Sequence, residues 1–324
     1  MQYRRIGGLD AEVSVLGFGG AAVSGEGKGY GFGEIQEQAS LDLLRAALDL
    51  GINLFDTAPI YGFGLSEQRI GKAFVGKREK VFLVSKCGVA WDRDQRVGID
   101  NSPKKTQEML HQSLRDLQTD YIDLYFVHWP DPNVDIRRTM EVLAKARQEQ
   151  KIRAIGLSNT SPKDLAHAME IDRVDVLQGS FNLFDGYARD VLFPLVDEHG
   201  MGFMSYGTLD KGILTGRVTA DRERTGSFDA SDIRSHAPWW KQADRTLKYK
   251  AMDALRPLLQ KHGHSGLEMA LGYVLSFAQV STALCGVRDR QQLESAVAAL
   301  SHLPDAELLQ EAEDIALDCL GKKR

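Results

Sequence analysis

Eight short apolar runs, at residues 13–18, 53–56, 81–85, 122–128, 152–158, 174–178, 202–206 and 282–286, recur along the chain at the interval of a strand plus a helix. Each reads as a strand, and between them apolar residues return at helical spacing: Leu41, Leu44 and Leu48; Leu110, Leu114 and Leu117; Met140, Leu143 and Ala144. The runs are continuously apolar instead of alternating, so both sheet faces are covered, as in a parallel sheet wrapped by helices. Ser102-Pro103 and Ser161-Pro162 each offer a capping hydroxyl with proline in the first turn, and Asp164 sits where the helix dipole favours an acid. A doubly wound sheet and a closed (β/α)8 barrel both satisfy this order.

The residues at the end of each run separate these two architectures. In chain order the strands end on Asp56, Lys86, His128, Ser158-Asn159, Gln178, Tyr206 and Gly286-Val287-Arg288. Polar groups at the C-terminal ends of seven strands form one site only if those ends converge, which a barrel achieves and an open sheet does not. Gly17-Phe18-Gly19-Gly20-Ala21-Ala22 satisfies a dinucleotide fingerprint, but it runs into residues 25–33, with five glycines in nine positions, and no acid ends a second strand at the required distance. Those glycines read as a tight turn after the first strand.

The 324 residues are 43% hydrophobic and 26% charged, the balance of an ordinary globular protein, with a net charge of −5 and no basic stripe for nucleic acid. Cys87, Cys285 and Cys319 are odd in number and widely spaced, so neither a disulfide framework nor a metal site is expected, and a reducing, cytoplasmic setting fits. No apolar stretch comes after the basic residues at positions 4 and 5, so no secretory signal is expected. Residues 269–287 are uncharged over 19 positions, yet Gly272, Ser276, Gln279, Ser281 and Thr282 interrupt them. They read as a buried helix and a buried strand, not a membrane span.

Asp56, Tyr61, Lys86 and His128 at adjacent strand ends read together as a proton-transfer site. A tyrosine is a poor acid or base at neutral pH unless its phenolate is stabilised. A lysine ammonium ~4 Å away, at an effective dielectric of ~20, favours the phenolate by roughly 4 kcal/mol. Asp56 would keep Lys86 charged, and His128 could hydrogen-bond a carbonyl oxygen. No nucleophile–base pair and no clustered metal-ligand motif is visible, which leaves hydride transfer or isomerisation; the former needs a nicotinamide.

Asp56-Thr57-Ala58 with Tyr61-Gly62 and Ser66-Glu67, Val84-Ser85-Lys86, the run from Tyr121 through His128-Trp129-Pro130, and the run from Ile152 to Ser158-Asn159 resemble the aldo-keto reductase family over nearly the whole chain. The resemblance implies a single-domain (β/α)8 barrel over residues 1–324 that binds NAD(P)(H) across its mouth. It implies Tyr61 as general acid and base, tuned by Lys86 and Asp56, with His128 positioning the carbonyl. Ser158, Asn159 and Gln178 match positions that hold the nicotinamide carboxamide, and Tyr206 matches the aromatic stacked on that ring. Residues 207–216, with Gly207, Leu209, Gly212 and Leu214, resemble the pyrophosphate loop, while Gly286, Val287, Arg288 and Gln292 resemble the adenosine-phosphate site. Two departures stand out: Gly207-Thr208-Leu209 replaces the common Ser-Pro-Leu, and Ser295-Ala296 replaces Glu-Asn. Arg288 favours NADP(H) over NAD(H).

Tyr30, Trp91 and Trp129 are candidates for the substrate wall, with Trp239-Trp240 behind them, and residues 234–241 with Asp232 read as solvated surface. The expected substrate is a small carbonyl compound, alcohol or sugar hemiacetal, with no nucleic acid or membrane partner. A second class stays open, a nicotinamide-sensing regulatory subunit resembling the potassium-channel β-subunits of this family. The chain is about 70 residues longer than the ~250 of a typical barrel. That surplus is assigned to an N-terminal hairpin at 2–14, a long loop after strand 7 at 208–248 and a C-terminal helix at 305–319.

Overall fold

In the computed structural model, which describes residues 1–226 and 228–322, β1 (Tyr3–Arg5) and β2 (Glu12–Ser14) pair as the expected hairpin. The run read at 13–18 is divided at Val15, whose N–H bonds to the Gln2 carbonyl at 3.0 Å, and the barrel begins with β3 (Leu16–Gly19). Next come α1 (Glu37–Asp49), β4 (Leu54–Asp56), α2 (Leu65–Ala73) and β5 (Phe82–Cys87). A small hairpin, β6 (Val89–Trp91) and β7 (Val97–Ile99), comes after them; the sequence did not suggest it. The alternation resumes with α3 (Pro103–Asp116), β8 (Ile122–Val127), α4 (Ile136–Gln148), β9 (Ile152–Ser158), α5 (Pro162–Met169), β10 (Val176–Ser180), α6 (Phe193–His199) and β11 (Gly202–Tyr206). After β11 come the short helices α7 (Ala220–Arg224), α8 (Ile233–His236) and α9 (Pro238–Lys241), then α10 (Thr246–His262), α11 (Gly266–Leu275), β12 (Val280–Cys285), α12 (Arg290–Ala299) and α13 (Ala306–Leu320).

Strands β3, β4, β5, β8, β9, β10, β11 and β12 close in that order into an eight-stranded parallel barrel, so the fold is a (β/α)8 barrel. All six residues of β5 and of β8 are buried, which is why these strands read as continuous apolar runs. Alternation still sorts them. Leu124 and Phe126 point into the barrel with Phe82, Val84, Val176 and Met204, while Tyr125 and Val127 point out toward the helices. Ile6 and Val13 of the N-terminal hairpin join the inner cluster and plug the barrel. Each such side chain contributes about 1.5–3 kcal/mol on burial.

Residues 269–287 are α11 and β12, both buried as expected, and no described helix is long and apolar enough to cross a membrane. The C-terminal helix α13 lies outside against α10. The glycine-rich turn folds back on itself so tightly that a Cβ on Gly25 would lie 1.9 Å from the Gly33 carbonyl oxygen. Only glycine fits there.

Candidate active site

The pleat of β5 turns Val84 and Lys86 inward and Ser85 and Cys87 outward, so the lysine stands inside the mouth. Lys86 Nζ lies 2.8 Å from each carboxylate oxygen of Asp56 and donates to the Thr57 carbonyl at 2.7 Å. All three of its protons are thereby placed, which a fully buried ammonium requires. From Asp56 a hydrogen-bonded chain crosses the mouth. Gln178 Nε2 donates to Asp56 Oδ2 at 2.8 Å, and Ser158 Oγ donates to Gln178 Oε1 at 3.4 Å, the two residues being register partners on β9 and β10. Asn159 Nδ2 donates to Ser158 Oγ at 3.1 Å and to the His128 carbonyl at 2.9 Å, and Tyr206 OH donates to Asn159 Oδ1 at 2.6 Å. Asn159 reaches these partners from the left-handed region, φ 53°, which asparagine tolerates better than most residues.

Tyr61 lies beyond β4 in a turn closed by its N–H on the Ala58 carbonyl. Its ring centroid is 5.3 Å from Lys86 Nζ, and the ring meets that of His128 edge-on at 6.0 Å. Burial, and then the Asp56 carboxylate, push the Tyr61 phenol well above its ordinary value. Burial and the Asp56 carboxylate thus oppose the phenolate that the sequence reading expects Lys86 to favour, and the resting group is the phenol. Burial, with a smaller effect of Lys86, holds His128 well below its usual value, so its ring is neutral. The site presents a protonated phenol and a neutral imidazole side by side.

Residues 207–216 leave β11 at Gly207, φ 67°, and are held by contacts that sequence reasoning missed. Asn182 Nδ2 donates to the Gly207 carbonyl at 2.9 Å, and Lys248 pairs with buried Asp210 at 2.7 Å. Both partners come from distant elements, so no local signal marks them. Leu214 is buried, Leu209 packs on the core, and Gly212 takes φ 97°. At the last strand, Gly286 is exposed and Val287 buried. Arg288 Nη2 donates to the Glu34 carbonyl at 2.5 Å, and Gln292 caps the turn by accepting from the Arg288 N–H at 3.1 Å. Arg288 Nε is buried without a hydrogen-bond partner among the described residues. At the departure near the last strand, Ala296 is a core residue of α12 and Ser295 is half-buried.

Tyr30 and Trp91 join Ala58, Ile60, Val89 and Phe63 in an apolar patch with Tyr61, Trp91 meeting Phe63 at 5.0 Å. Trp129 is 43% exposed. Trp239 is exposed as well, but Trp240 is buried under the Arg245 guanidinium, 4.0 Å from its ring centroid. The stretch read as solvated surface is corrected most. Asp232 is 2% exposed and forms a two-pronged pair with Arg234, Nε to Oδ1 at 2.9 Å and Nη2 to Oδ2 at 2.7 Å. Arg234 Nη1 also donates to the Lys211 carbonyl, and the Ile233 N–H donates to the Gly31 carbonyl, each at 2.8 Å. The segment after β11 is thus tied to the glycine-rich turn after β3. Charged residues in a long loop carry no pattern that separates this buried pair from a solvated one.

The profile of the Aldo/keto reductase family matches residues 15–316. The chain is 36% identical over 299 residues to aldo-keto reductase YhdN of Bacillus subtilis, covering 91% of this chain and 87% of the relative. It is 30% identical over 316 residues to the NADH-specific methylglyoxal reductase of Escherichia coli, covering 93% and 94%. The solved structure of the glycerol dehydrogenase AKR11B4 from Gluconobacter oxydans superposes with a TM-score of 0.85 at 31% identity, covering 99% of this chain and 97% of that one. With its eight-stranded barrel and a buried lysine–aspartate pair beside a protonated tyrosine, the chain belongs to the aldo-keto reductase family and is an NAD(P)-dependent oxidoreductase.

Proposed function

We propose that this protein uses NADP(H) to interconvert a small aldehyde, ketone or sugar hemiacetal with the corresponding alcohol or lactone, with Tyr61 as general acid and base. The observation that carries the reading is the unbroken hydrogen-bonded chain from Tyr206 through Asn159, Ser158, Gln178 and Asp56 to Lys86, with Tyr61 and His128 beside it. The mouth fits a nicotinamide dinucleotide: Arg288 Nε is a buried donor without a partner among the described residues, and Tyr206 is only half-buried. Ser158, Asn159 and Gln178 would hold the carboxamide, Tyr206 would stack on the ring, residues 207–216 would cover the pyrophosphate, and Arg288 would face a 2′-phosphate. A bound nicotinamide supplies the hydride in reduction and accepts it in oxidation.

The residues of this chain then manage the proton. Tyr61 gives its phenolic proton to the substrate oxygen in reduction. In the reverse direction the phenolate takes the proton back from the alcohol, the Lys86 ammonium balancing its charge. Neutral His128 donates its ring N–H to the same oxygen and orients the carbonyl. Tyr30 and Trp91 present apolar faces beside Tyr61, which suits a compact substrate. The relatives named for methylglyoxal and glycerol support that substrate size. One relative is named as NADH-specific, so both cofactors belong in the test.

Tyr61→Phe is expected to lower kcat by about 10²–10⁴-fold with a panel of small aldehydes while cofactor affinity is unchanged. A Tyr61→Phe enzyme with full turnover would sink the mechanism. NADPH and NADH titrations of the wild type, with turnover measured beyond one equivalent of cofactor, decide the cofactor and separate an enzyme from a nicotinamide sensor.

A further inference from the structure

Three side chains converge on the outer helical layer. His264 lies in the turn between α10 and α11, Glu268 in the first turn of α11, and His302 just beyond α12. Glu268 Oε1 is 3.1 Å from His302 Nδ1, and its Oε2 is 3.7 Å from His264 Nδ1. One ligand atom from each residue lies within 4.8 Å of the other two, and the two imidazole rings stand side by side with centroids 4.5 Å apart. Two imidazoles and a carboxylate form a donor set of zinc-type ions. Bonds of about 2.1 Å to one tetrahedral ion place ligand atoms about 3.4 Å apart; the two carboxylate oxygens stand 3.1 and 3.7 Å from the two ring nitrogens, so a small side-chain adjustment brings one atom of each residue to that spacing.

The surroundings support the same reading. His264 Nδ1 is buried with no hydrogen-bond partner among the described residues, and 3.7 Å is too long for one to Glu268. A buried ring nitrogen left unpaired is costly; a metal ion would use its lone pair. Glu268 is held in place by the Ser265 N–H at 2.6 Å and the Ser265 hydroxyl at 2.9 Å, both on Oε2, which leaves Oε1 toward His302. The His302 side chain is 59% exposed, so an ion has an entry path and a fourth position for water. Next to this turn, a Cβ on Gly266 would lie 2.3 Å from the Leu214 carbonyl oxygen, so the turn packs directly under residues 207–216.

We infer that His264, Glu268 and His302 form a three-ligand site for a divalent transition-metal ion of the Zn²⁺ class, which clamps the α10–α11 turn to the segment after α12. The sequence hid it because a histidine and a glutamate four apart are an ordinary pair and the third ligand lies 34 residues further on. The test is a titration of tag-free, chelator-stripped protein with Zn²⁺ by calorimetry and with Co²⁺ by visible absorption. One equivalent per chain is expected, with ligand-field bands but no thiolate charge-transfer band, and a rise in Tm of a few degrees. His302→Ala, at an exposed position, keeps the metal-free Tm and weakens Zn²⁺ binding by about tenfold or more; Glu268→Gln does the same while retaining a side-chain acceptor for Ser265. The absence of saturable binding, a thiolate band, or affinity unchanged in both variants would overturn the site.

Discussion

Two parts of the barrel mouth are held by different forces. On the one, the strand-built rim, Asp56, Lys86, Ser158 and Gln178 stand at the ends of strands paired in register, and all four are buried. On the other, residues 207–248 contain no strand among the described residues. Three short helices there are held by the ion pairs Asp232–Arg234, Glu223–Arg245 and Asp210–Lys248 and by cation–π contacts such as Arg234 over Phe228 at 4.4 Å. Proton transfer needs atoms held to a fraction of an ångström, which a closed barrel supplies. On the proposed function the segment admits a dinucleotide, and it would have to open without unfolding that barrel, which side-chain pairing allows.

The sharpest way to break this contrast is at the strand-built rim. Lys86→Met leaves Asp56 buried and unpaired, and is expected to cost about 3–5 kcal/mol in denaturant unfolding together with the loss of turnover. A variant as stable as the wild type would show that the pair does not lock the mouth.

A somewhat smaller effect lies just behind it. Glu67 is fully buried, with Oε1 accepting from Ser85 Oγ at 2.6 Å, and burial, partly offset by that hydrogen bond, raises its pKa from 4.5 to about 7. Between those two values the folded protein holds a proton that the unfolded chain has lost. The corresponding stability is complete below pH 4.5 and disappears as pH rises through 7. Raising the pH from 5 to 8 should therefore cost about 3 kcal/mol, and Glu67→Gln should flatten that slope in unfolding measured across the range.

In the other part of the mouth the expected loss is local. Arg234→Ala should raise the cofactor KM about tenfold, or ~1.4 kcal/mol, and speed proteolysis within residues 207–248 while leaving the global unfolding midpoint nearly unchanged. A large drop in the midpoint would mean that the segment and the barrel unfold as one unit.

The barrel was legible because its signals are local. A continuous apolar run capped by one polar residue can be read within a few positions, so Asp56, Lys86, His128, Gln178 and Tyr206 were all found from strand ends. The hairpin of β6 and β7 was not, since Val97 and Ile99 are exposed and present no buried face to betray a strand. Gln178 and Asp56 are 122 residues apart, and nothing in either neighbourhood announces their hydrogen bond. Asp232 and Arg234 looked like any charged loop, although the Asp232 carboxylate is buried.

The sequence by itself determined the order of strands, the closure they imply, the family and the identity of the residues at the mouth. These come from periodicity and from the order of side chains, quantities that the chain carries locally. Beyond the Asp56–Lys86 pair, only the tertiary structure decided which partners the polar groups take and which protonation states result. Lys86 is saturated by Asp56 and Thr57, Tyr61 is kept as a phenol, and His128 is neutral, because desolvation and distance act through space and have no expression in the spacing of residues along a chain.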